Sequence, residues 1–78
     1  MDDIHENDVV ALLVDLPDSG LRRGDMGTVV HVFDKTDDHP AGLMIEFSDE
    51  SGHTQALIDV VDLSMIVKLR FPPASEAA

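Results

Sequence analysis

The segment Arg22-Arg23-Gly24-Asp25-Met26-Gly27-Thr28-Val29-Val30-His31-Val32-Phe33 sets two glycines just ahead of a run of β-branched and aromatic residues. Thr28 to Phe33 favour a pleated, half-buried surface, so residues 28–33 read as a strand. Gly24 and Gly27 flank its entry, where a side chain would be strained at positive φ, and they are structural turn residues rather than a binding loop.

Working outward, Val9-Val10-Ala11-Leu12-Leu13-Val14 is a six-residue apolar run of the length expected for a strand buried on both faces. Residues 15–24 carry Pro17, Gly20 and Gly24 among Asp and Ser and read as a loop pinned by Leu16 and Leu21. Residues 34–42 are polar with Pro40 and Gly42, a connection longer than most hairpin loops. Leu43-Met44-Ile45-Glu46-Phe47 alternates, with Leu43, Ile45 and Phe47 facing inward. Ser48 to Gly52 closes a turn in which Gly52 suits a positive φ. A fourth strand is predicted over 53–58, then a single 3₁₀ turn in 59–64 capped by Asp59, then a fifth strand over 65–70.

Five short strands spaced about ten residues apart predict an all-β fold, a small five-stranded barrel with one short 3₁₀ turn before the last strand. Residues 1–7 are expected to be a flexible lead, 8–71 the barrel and 72–78 a disordered tail after Pro72 and Pro73. With 78 residues there is room for one core, and with three Phe, no Trp and no Tyr that core is expected to be aliphatic. The expected stability is about 3–5 kcal/mol.

Five Lys and Arg against 16 Asp and Glu give a net charge of −11. The excess is spread along the chain, with ten acids to three bases in residues 1–39 and six to two in 40–78. Nucleic-acid binding needs cations to neutralise phosphates, so direct contact with DNA or RNA is not expected, and an anionic membrane is disfavoured on the same ground. A basic protein, by contrast, would be steered toward this surface. The absence of Cys excludes thiol chemistry, and the opening Met1-Asp2-Asp3-Ile4-His5-Glu6 has neither the basic nor the apolar region of a secretion signal, so a cytoplasmic location is expected.

No catalytic constellation is visible. Ser19, Ser48, Ser51 and Ser64 stand outside any Gly-x-Ser-x-Gly elbow and read as turn residues, while His31 and His53 lie in strands. His39 with Asp37 and Asp38, or His5 with Asp2, Asp3 and Glu6, lack ligand spacing on a rigid element, so no metal and no cofactor are expected. Arg22 and Arg23 form the one basic spot of the first loop and, with Asp18 and Asp25, are the candidate partner-binding residues. The alternative is that the arginines only offset those two aspartates at the surface.

The Gly-x-x-Gly-x-Val core at Gly24 to Val29 resembles the KOW type of SH3-like barrel. Taken with Asp8-Val9-Val10-Ala11-Leu12, Asp15-Leu16-Pro17, Gly20-Leu21, Phe47, Asp49 and Gly52, the chain is similar to a family of small uncharacterised bacterial proteins over residues 8–70. That resemblance implies the SH3-like barrel and brings no activity with it; the His39 loop and residues 65–71 depart from its pattern. The functional expectation is therefore a non-enzymatic protein-binding module, such as the antitoxin or immunity partner of a basic protein. Self-association through an exposed strand edge is a variant of it. The alternative is a KOW-like accessory factor associated with nucleic acid or the ribosome.

Overall fold

The computed structural model describes residues 4–70. The expected disorder of 72–78 therefore lies outside the described residues, as does that of residues 1–3. Five strands form one antiparallel sheet: β1 (Val9–Leu12), β2 (Met26–Phe33), β3 (Gly42–Ser48), β4 (Thr54–Val60) and β5 (Ile66–Lys68), in the order β4-β3-β2-β1-β5. A 3₁₀ turn over Leu63–Met65 leads into β5, as expected, and a second occupies Pro17–Ser19 in the first loop.

The sheet curls into a barrel-like body because all five strands contribute side chains to one interior. Val10, Leu12, Val29, Leu43, Ile45, Phe47, Val60 and Ile66 are buried there, with Leu21 reaching in from the first loop. Two bulges accommodate the curvature: Val30 is the extra residue of β2 opposite β3, and Gln55 the extra residue of β4. The core is aliphatic apart from Phe47, which is among its fully buried side chains. Leu43, Ile45 and Phe47 point inward, as their alternation predicts.

Four expectations change. β1 ends at Leu12 and is not buried on both faces: Val10 and Leu12 are buried, Val9 and Ala11 alternate with them on a half-buried outer face, and Leu13 and Val14 beyond the strand are exposed. β4 runs on to Val60, since that residue stands opposite Leu43 and fills the core. The cap of the second 3₁₀ turn is consequently Asp62 rather than Asp59, its Oδ1 accepting from the Ser64 N–H at 3.0 Å and the Ser64 hydroxyl at 2.6 Å. β5 is confined to three residues, although the Leu69 N–H still bonds the Val9 carbonyl at 2.9 Å.

Residues of the lead are tied to the barrel: the Asn7 N–H donates to the Val29 carbonyl at 2.7 Å, and Ile4 packs against the core. Asp8 fastens this turn. Its Oδ2 accepts from the His5 N–H at 2.7 Å and lies 3.3 Å from Lys68 Nζ on β5. The His5 N–H, and behind it the Lys68 ammonium, hold the Asp8 carboxyl below its ordinary value of 3.8, as the Ser64 hydroxyl and N–H do for Asp62. A carboxyl whose folded value lies below its unfolded one stabilises the fold above pH 3.8 and loses that contribution as pH falls through the folded value. Urea midpoints measured across the acid range are accordingly expected to drop less steeply for Asp8→Asn/Asp62→Asn than for the native chain. Equal slopes would show that neither contact matters.

Candidate functional site

The first loop is a structured hairpin. Leu16 and Leu21 face each other and exchange both backbone hydrogen bonds at 2.9 and 3.1 Å, and Gly20 closes the turn at φ 71°. Leu21 then anchors the hairpin in the core, as the sequence predicts. At its base, Asp15 Oδ1 accepts the Arg23 N–H at 2.9 Å and Asp25 Oδ2 accepts the Arg22 N–H at 2.8 Å. The Gly24 N–H bonds the Leu12 carbonyl at 2.7 Å with φ at 94°, the left-handed value expected there. These carboxylates are thus engaged by backbone. Neither arginine side chain lies within 4.0 Å of a carboxylate among the described residues.

Gly27 is needed for a different reason from the one expected. Its φ is not positive; a Cβ there would meet Ile45 Cγ2 at 2.6 Å, the Glu46 carbonyl oxygen at 2.9 Å and Phe47 Cδ1 at 2.9 Å. It stands opposite Phe47, where β3 leaves no room for a side chain on β2.

Across from the first loop stands the β3–β4 turn. Asp49 Oδ1 accepts the N–H groups of Ser51 and His53 at 2.9 and 3.0 Å, and Gly52 takes φ 87°, as expected. This places Glu50 at the tip. The Gln55 bulge turns its side chain toward the first loop, where Nε2 donates to the Gly20 carbonyl at 3.2 Å. Between the two loops lies an open cavity of about 310 Å³, with Leu21, Met26 and Phe47 as its apolar lining and Asp25, Ser48, Asp49, Glu50 and Gln55 as its polar one. A second cavity of about 480 Å³ shares Leu21 and is bounded by Asp15, Pro17, Gly20 and Arg22. A third, of about 190 Å³, shares Met26 and Ser48 and adds Val9, Gly27, Thr28 and Glu46.

Of the four residues read as partner-binding, Asp25 lines the first cavity and Arg22 the second, while Asp18 and Arg23 line none of the three. Asp49 and Glu50 were not foreseen as site residues; the signal was the acidic pair in a turn between two strands. Gln55→Ala is expected to remove the bond to Gly20 at a cost of about 1 kcal/mol or less and to move the Gly20 and Leu21 amide resonances. Unmoved resonances would mean that the bond does not hold the loop.

Among the described residues no group of three or more His, Asp or Glu side chains could hold a metal. Asp2 and Asp3 lie outside them. His39 instead sits against Phe33, ring centroids 5.2 Å apart, and Phe33 meets His31 edge-on at 4.6 Å. His31 Nδ1 lies 3.6 Å from a Glu6 carboxylate oxygen. Among the described residues no helix is long and apolar enough to cross a membrane.

Neither a curated protein nor a solved structure matches the chain. A family model does, over residues 6–67, and its description is a domain of unknown function, DUF4926. That match covers most of the chain and takes in every strand of the sheet except the last residue of β5, and the chain therefore belongs to the DUF4926 family.

Proposed function

We propose that this domain is a non-enzymatic protein-binding module whose partner is basic, as an antitoxin or immunity protein would be toward the protein it neutralises. One observation carries the reading: Asp25 of the first loop and Asp49 and Glu50 of the β3–β4 turn line one open cavity together with the exposed Met26. A Lys or Arg side chain can place its methylenes on the exposed Met26 and its cation beside those carboxylates. The net charge of −11 adds long-range steering of the same sign. It also repels phosphate, which disfavours a nucleic-acid partner.

The test is affinity capture on the immobilised full chain from an extract of the cells that make it. The native chain is compared with Asp25→Asn/Asp49→Asn/Glu50→Gln and with Asp34→Asn/Asp37→Asn/Asp38→Asn, which changes the net charge equally in a different loop. A basic protein held by the native chain and the second variant, lost by the first and released by salt, supports the reading. Equal retention by both variants contradicts it, and so does capture of nucleic acid in place of protein.

A further inference from the structure

Met26 is 60% exposed, the largest value among the exposed large apolar residues of the described chain, and it lines both the 310 Å³ and the 190 Å³ cavities. Its neighbours across the sheet continue the apolar surface. Met26 stands opposite Ala11 on β1, and Ala11 stands opposite Val67 on β5, which is 43% exposed. Directly opposed residues of antiparallel strands share a face, so these three form one row spanning about 10 Å on the outside of the sheet. Beside it runs a second row, Thr28, Val9 and the exposed Leu69. The first row carries no ionisable side chain, whereas the second continues onto β3 at Glu46, opposite Thr28, and the cavity beside them is lined by Asp25, Asp49 and Glu50.

We infer that this uncharged row is the second half of the docking surface. A partner segment that sets a cation against Asp25, Asp49 and Glu50 lays a large aliphatic or aromatic side chain on Met26, Ala11 and Val67. The inference rests on the basic-partner reading. Charge decides the occupant: a second copy of this chain would bring its own −11 against the same carboxylates, whereas a basic segment is drawn in by them. An extended chain advances about 3.3 Å per residue, so about three residues span the row.

Two synthetic peptides test this against the full chain by fluorescence anisotropy. One carries four arginines spaced by serines, and in the other two of the serines are leucines. The leucine peptide is expected to bind about tenfold more tightly, equivalent to about 1.4 kcal/mol, and Val67→Ser is expected to abolish that gain while the serine peptide binds as before. Serine and leucine peptides of equal affinity would overturn the inference while leaving the basic-partner reading standing, as would a gain that survives Val67→Ser in a variant with native thermal unfolding. Failure of both peptides to bind at low salt would overturn the reading and the inference together.

Discussion

Replacing Phe47 by alanine is expected to leave the chain largely unfolded at 25 °C. Phe47 is 1% exposed, the largest of the fully buried side chains, and it sits in β3 between its partners Gly27 and Ala56. Truncating a buried phenylalanine costs about 3–5 kcal/mol, and a domain of this size has about 3–5 kcal/mol in total. Phe47 also borders the acidic cavity, so loss of the core takes the candidate site with it. Far-ultraviolet circular dichroism and urea titration check the result. A cooperative transition with a near-native midpoint would show that the ring is not central to the core.

The second large effect is expected at Gly27, where alanine adds one carbon. That Cβ falls within 3.0 Å of three atoms, one of them the Glu46 carbonyl oxygen, which cannot retreat without disturbing the ladder that pairs Thr28 with Glu46. Overpacking of this kind costs about 1–3 kcal/mol, against a gain of about 0.4–1 kcal/mol from the stiffer unfolded chain. The net is a loss. Gly24→Ala separates the two ways a glycine can be required: φ there is 94°, yet nothing lies within 4 Å of where the added methyl would stand, so its cost is backbone strain alone, about 1–2 kcal/mol. Denaturant midpoints of the two variants check both effects, and a neutral or stabilising Gly27→Ala would contradict the close approach of β2 and β3.

Much of this architecture was legible because it rests on local chemistry. The alternation in residues 43–47 identified the inward face of β3, and the β-branched run after Gly27 identified β2. Leu16 and Leu21 announced the closed first loop, and Gly24 and Gly52 the positive-φ turns. What escaped depends on partners distant in sequence. Hydropathy cannot show where β1 loses its neighbours, so Leu13 and Val14 looked buried. Asp59 and Asp62 are equivalent as caps until the pairing of Val60 with Leu43 draws Asp59 into the ladder. Gly27 was recognised as structural, but the crowding that requires it comes from Ile45, Glu46 and Phe47.

The candidate site divides in the same way. Asp25 was visible beside the glycine turn, whereas Asp49 and Glu50 join it only because the curled sheet and the Gln55 bulge bring the β3–β4 turn alongside the first loop. Arg22 and Arg23 attracted notice as the basic spot in an acidic region. Their backbone N–H groups, however, are what the neighbouring carboxylates hold. Three of the 16 acidic residues thereby share one location, the cavity between the two loops.

That location is tested most directly by mapping amide chemical shifts of the ¹⁵N-labelled full chain during titration with the serine-spaced arginine peptide, at about 25 mM and about 300 mM salt. The largest shifts are predicted at Asp25, Ser48, Asp49, Glu50 and Gln55, fading at the higher salt. Shifts distributed equally over Asp34, Asp37 and Asp38, or none at low salt, would contradict a docking site in this groove.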